Sequence, residues 1–201
     1  MKRYYLLFLL LLCTPLVFGQ SAKIIGDCTI TYTIQIANDA GNATKTLYIK
    51  GNKTRSEVVS PSFTQTTIYD NKTGEAVVMR ELNGEKYLSK FNAAQWKEKN
   101  KEWEGMKVKF TNESKTILQY RCKKAIGTTK AGKKFIIYYT ADLAPSASEN
   151  PFEFKGIPGL VLEYESETAE GKSITFSAIN INFSPVPAAK FEIPESGYRI
   201  L

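Results

Sequence analysis

Thr29-Ile30-Thr31-Tyr32-Thr33-Ile34-Gln35-Ile36 alternates polar and apolar side chains without a break. Successive side chains of a strand point to opposite faces, so Ile30, Tyr32, Ile34 and Ile36 share one face and the threonines and Gln35 the other. A helix would scatter the same residues around its circumference. The stretch therefore reads as a half-buried β-strand in a sheet with an apolar face.

The neighbouring sequence repeats the theme. Asp39 to Asn42 supplies turn residues, Lys45 to Lys50 a second strand and Gly51-Asn52 a tight turn. Lys53 to Ser60 continues until Pro61 stops it. Phe63 to Asp70 and Glu75 to Leu82 flank a turn at Asn71 to Gly74, and Asn83-Gly84 is the strongest hairpin signal in the chain. Glu85 to Phe91 is its return strand. Strands are also expected at Lys107 to Phe110, Thr116 to Ile126, Phe135 to Thr140, Leu160 to Glu165 and Ser173 to Phe183. The last changes apolar phase between Ala178 and Ile179, which a β-bulge explains. One helix is expected, from Asn92 as cap to Gly105 as stop. Its Trp96 and Trp103, seven apart, would share a face, either docking the helix on the sheet or closing a lid over a cavity. Roughly ten strands joined by short turns predict a mainly β fold. The expected form is an antiparallel meander in a strongly curved sheet or open barrel, with one short helix packed against it.

The amino terminus reads as a cleaved secretory signal over residues 1–19. Lys2 and Arg3 precede the apolar run Leu6 to Leu12, and Val17 and Gly19 fit a cleavage site before Gln20. That run is too short for a membrane span, and Leu12 before Cys13 argues against lipidation there. Residues 20–201 then form a single domain in the periplasm or outside the cell, with no transmembrane segment after cleavage. The chain carries 27 basic and 20 acidic residues, a net charge of +7. These charges are scattered, which argues against a nucleic-acid partner. Cys28 and Cys122 survive processing. Each lies in an apolar phase, Cys122 with Leu118 and Tyr120, and export favours a disulfide between them.

Catalytic signals are missing. The chain contains no histidine, which excludes serine–histidine and cysteine–histidine catalysis and the commonest transition-metal ligand. Gly127 to Lys134 nearly matches a phosphate-cradling loop, but it lacks the closing Ser or Thr and leads into a strand, so it reads as a hairpin. Glu163, Glu165 and Glu167 share one face of a strand and read as its solvent side rather than a cation site. No catalytic residue, metal or cofactor is expected. A cluster of buried carboxylates with shifted pKa values is the one feature that would reopen an enzymatic reading.

Gly156-Ile157-Pro158-Gly159-Leu160, within Lys155 to Glu163, is the most distinctive segment. It closely resembles the signature of the GLPGLI family of exported proteins from Bacteroidetes. Leu118 to Lys124 and Tyr138-Tyr139-Thr140 extend the resemblance across about Lys115 to Glu165. Read from the residues alone, the motif is a structural corner: Gly156 and Gly159 permit positive φ and close backbone approach, and Pro158 stiffens the turn. The expected meander and the Phe191-Glu192-Ile193-Pro194 tail also look like the periplasmic lipoprotein-carrier superfamily, whose members hold acyl chains between a curved sheet and helices. The missing catalytic signals point to a non-enzymatic envelope protein, and the likeness to lipoprotein carriers implies that it binds an apolar ligand, a lipid or an acylated protein, on the concave face. Ile34, Tyr69, Met79, Tyr87, Trp96 and Trp103 are the expected liners. The alternative is an interaction or scaffold component that accompanies an outer-membrane protein.

Overall fold

The alternating stretch becomes strand β2 (Asp27–Ile36), with Cys28, Ile30, Tyr32 and Ile34 buried. A computed structural model describes residues 21–37, 43–167 and 171–201. The expected signal segment and the turn at residues 39–42 lie outside the described residues. The other strands are β1 (Lys23–Ile25), β3 (Ala43–Lys50), β4 (Lys53–Val59), β5 (Phe63–Asp70), β6 (Ala76–Leu82) and β7 (Glu85–Phe91). After helix α1 (Ala93–Lys99) come β8 (Lys107–Ile117), β9 (Tyr120–Thr128), β10 (Lys134–Thr140), β11 (Leu143–Pro145), β12 (Leu160–Glu167), β13 (Ser173–Asn182) and β14 (Arg199–Ile200).

Twelve of these strands form one sheet in the order β14-β7-β6-β5-β4-β3-β2-β13-β12-β10-β9-β8. It is antiparallel except where β14 joins β7, and β1 pairs β11 in parallel as a separate small sheet. The sheet does not close into a barrel; β14 and β8 are its edges. Nor is it one meander. Strands β2 to β7 follow each other, but the outer side of β2 is taken by β13, and β8 lies at the far edge from β7.

The turns follow their residues. Gly51 (φ 56°) joins β3 to β4, and Asn83 and Gly84 (φ 52° and 81°) join β6 to β7. Gly127 to Lys134 is a hairpin between β9 and β10. The register of β13 against β2 shifts between Ala178 and Asn180, leaving Ile179 as the bulged, half-exposed residue. One expected strand is two. The chain turns at Leu118 and Gln119, so Ile117 pairs with Tyr120 and Leu118 takes a φ of 54°. No Gly, Asn or Pro marks this turn, and Leu118 no longer continues the phase of Cys122.

The helix is shorter than expected. Asn92 accepts from the Gln95 N–H while the Gln95 side chain accepts from the Asn92 N–H, a complete capping box. The α-helix ends at Asn100, and a single 3-10 turn follows over Lys101–Trp103. The two tryptophans therefore do not share a face. Trp96 packs on Tyr69 and Phe91, with ring centroids at 6.3 and 5.5 Å, whereas Trp103 packs on Phe135 at 5.0 Å.

Register fixes which side chains the sheet presents towards α1. Three rows run from β2 to β5: Cys28–Ile49–Thr54–Tyr69, Ile30–Leu47–Ser56–Thr67, and Tyr32–Lys45–Val58–Gln65. The face is apolar on β2 and most of β3 and becomes polar on β4 and β5. The opposite face buries Ile68, Met79 and Leu88 beneath Phe191 and Tyr198 of the carboxyl-terminal segment. Cys28 and Cys122 lie fully buried in one apolar cluster. The expected bridge is not formed: both are free thiols, and β13, β12 and β10 stand between their strands.

Candidate functional site

Lys45 belongs to the buried phase of β3 with Leu47 and Ile49, and it is 2% exposed. Burying an ammonium costs several kcal/mol unless partners replace its water. Here the carboxylate of Glu149 pairs with Nζ, and Nζ donates to the Tyr164 hydroxyl at 2.7 Å. The rings of Tyr32, Tyr164 and Phe176 surround Nζ at 5.1, 5.0 and 5.4 Å, adding cation–π attraction. Tyr164 is held from both sides: Phe176 stacks on it at 4.5 Å, and Phe154 meets it edge-on at 5.0 Å. The Tyr32 hydroxyl donates to the Val161 carbonyl at 2.9 Å.

Glu149 and Glu153 come from the segment between β11 and β12 and are both buried. Asn150 Nδ2 donates to Glu153 at 2.9 Å. Burial pushes the Glu153 carboxyl up to about 8, with the Glu149 and Glu102 charges adding to the rise and Lys45 and the Asn150 bond opposing it. Glu153 is therefore mostly protonated at neutral pH. Burial also raises the Tyr32 and Tyr164 hydroxyls well above the ordinary tyrosine value, with Glu149 contributing to both. The thiols respond in the same way, Cys28 reaching about 12 through burial and the Asp27 charge, and Cys122 about 11 chiefly through burial. Both are inert as nucleophiles at neutral pH.

Two cavities flank this charged centre. The first, of about 280 Å³, lies between the apolar part of the sheet face and the segment after β11. Leu47, Ile49, Phe154, Ile157, Leu160 and Val161 supply most of its apolar wall. Three residues of the distinctive motif, Ile157, Gly159 and Leu160, thus line a cavity. Gly159 has a φ of +140°, and a Cβ there would lie 2.0 Å from the Thr140 carbonyl oxygen, so the corner presses directly on the end of β10. Gly156 needs its glycine only for a φ of +82°.

The second cavity, of about 200 Å³, lies beneath α1. Its floor is the polar part of the face, Thr54, Ser56, Gln65 and Thr67, and its roof includes Trp96 and Asn100 of the helical segment with Glu149 and Asn150. Of the six expected liners, Tyr69 and Trp96 wall this cavity. Trp103 walls a separate outer groove with Phe152. Ile34 is buried opposite Phe176, Tyr87 is half-buried beside β14, and Met79 lies on the other face, because it is one residue out of phase with Val78. Lys45, a lysine in the apolar phase of an alternating strand, carried a sequence signal for this site. Glu149 and Glu153 carried none, since nothing in a polar loop marks which carboxylates fold inward.

The three strand-face glutamates are held separately. Glu163 pairs with Lys115, Glu167 pairs with Lys133, and Glu165 accepts from the Ile136 N–H at 3.4 Å. Among the described residues, no group of three or more His, Cys, Asp or Glu could hold a metal ion. No helix of the described residues is long and apolar enough to cross a membrane.

The fold is shared with an uncharacterized conserved protein from Thermus thermophilus, at a TM-score of 0.51 and 10% identity over 86% of this chain and 89% of that one. A structure of PNGF-II has a TM-score of 0.48 at 18% identity over 87% of this chain; the chain spans only 30% of that protein. The Pseudomonas aeruginosa MucA/MucB complex has a TM-score of 0.45 at 9% identity, over 84% of this chain and 56% of that one. At such identities the first likeness concerns the fold alone, and the other two are weaker still. No family model and no curated protein matches the sequence.

Proposed function

We propose that this chain is a non-enzymatic, exported envelope protein of the GLPGLI type. Its sheet curves around α1 and holds a small apolar group, an acyl chain or the acyl group of a modified protein, in the 280 Å³ cavity. The observation that carries the reading is the corner Gly156 to Leu160, whose Ile157, Gly159 and Leu160 wall that cavity against Leu47 and Ile49. The cavity lies just under the about 300 Å³ lower end of ordinary ligand sites, which suits one chain rather than a whole lipid.

Chain length supports the curvature. Strand β8 is ten positions from β7 in the sheet. At about 4.8 Å per strand, a flat sheet would hold them about 48 Å apart. Residues 92–106 join them, and seven of those residues are helical. At about 1.5 Å per helical residue and at most about 3.5 Å for the others, the connection spans less than about 40 Å. This mismatch supports a sheet bent towards the side that carries α1.

The buried carboxylates do not favour catalysis. Glu149 is tied to Lys45 and Glu153 to Asn150, and Glu153 does not line either cavity. A second reading, a protein-interaction role, draws on one observation: β8 is a long open edge with Phe110 half-exposed.

Native mass spectrometry of the mature protein from its own envelope, before and after organic extraction, tests the proposal. The expected result is a discrete extra mass that extraction removes. A bare chain before extraction would overturn the carrier reading and turn attention to the β8 edge.

A further inference from the structure

We infer that the cavity beneath α1 is a separate binding site, for an uncharged, polyhydroxylated molecule about the size of one sugar ring. Its volume of about 200 Å³ corresponds to about seven waters of liquid. That is too large for one or two structural waters and suits a small compact ligand.

The lining sets the chemistry. A sheet face that is covered is ordinarily apolar, yet Thr54, Ser56, Gln65 and Thr67 stand side by side on β4 and β5, with Asn100 and Asn150 across the gap. The hydroxyl-bearing side chains of Thr54, Ser56 and Thr67 line this gap. Trp96, a wall of the same cavity, has a buried indole N–H with no partner. Buried donors in folded proteins nearly always find one, in protein, water or ligand. The aromatic surfaces of Tyr69 and Trp96, 6.3 Å apart, offer the apolar wall that the C–H face of a sugar ring uses.

Charge decides against other polar ligands. Among the described residues, the charged side chains lining the cavity are Lys45 and Glu149, and they are paired with each other. The site is therefore neutral overall. An anion or a zwitterion would have to break a buried ion pair, whereas a neutral polyol can donate to and accept from the pair without separating it. The inference is independent of the apolar cavity, which is walled by different residues apart from Glu149.

Saturation-transfer NMR and titration on the mature full-length protein test it, with glucose, galactose and N-acetylglucosamine as probes and acetate and betaine as charged controls. At least one sugar is expected to bind with a dissociation constant below about 10 mM. The double variant Ser56→Ala/Thr67→Val should bind it at least about tenfold more weakly, and Trp103→Phe, which alters a different groove, should bind it unchanged. If the double variant fails to fold, Ser56→Ala alone serves as the weakened variant. The site assignment is overturned if no sugar binds in that range, if acetate or betaine binds as tightly, or if the folded Ser56 variant binds unchanged.

Discussion

At Gly159 a side chain has nowhere to go, because the Thr140 carbonyl occupies the place a Cβ would take. Gly156, three residues earlier, has open space around it and needs only its positive φ. The two glycines of one motif therefore predict different costs. Gly159→Ala should lower stability by more than about 3 kcal/mol, combining a forced contact with backbone strain. Gly156→Ala should cost about 1–2 kcal/mol. Equal losses in chemical denaturation would mean that the corner does not press on β10. Leu118 presents the reverse case, a branched residue at φ 54° in a two-residue turn, 41% exposed. Leu118→Asn should raise stability by about 1 kcal/mol, read as a higher denaturation midpoint at unchanged slope.

Among the elements, the segment between β11 and β12 carries a pH response. Glu153 titrates near 4.5 when unfolded and near 8 when folded, so the folded state holds its proton longer. Stability that is complete below about 4.5 should fall as pH rises towards about 8 and level off beyond it. The chain has no histidine, so few other groups titrate in that window. Melting curves between about pH 5 and 9 should show the decline, and Glu153→Gln should flatten it, since an amide keeps the bond to Asn150. A wild-type profile already flat would place Glu153 in water. The elements themselves were largely readable from sequence, because alternation, Asn83-Gly84 and the phase slip at Ile179 are local signals. The turn at Leu118 was not, because no Gly, Asn or Pro marks it, and the helix break at Asn100 was missed because Gly105 offered a stronger stop signal further on. The polar cavity needed the register as well. Thr54, Ser56, Gln65 and Thr67 look like ordinary alternating strand residues until pairing sets them beside Lys45 and Tyr69.

For the molecule as a whole, the pairing of β2 with β13 governs more than shape. Strands β2 to β7 can pair in order as the chain appears, and β8 to β13 can form a second set, but the two become one sheet only through contacts such as Thr33 with Ser177. Closing so long a loop before any contact rewards it makes folding slow. Until β13 arrives, the strand Thr29 to Ile36 presents a bare hydrogen-bonding edge beside an apolar face. A chain arrested before β13 is therefore a sticky intermediate, apt to pair with the equivalent strand of another copy. Aggregation should consequently depend on how quickly the last third of the protein is delivered, more than on the stability of the finished fold.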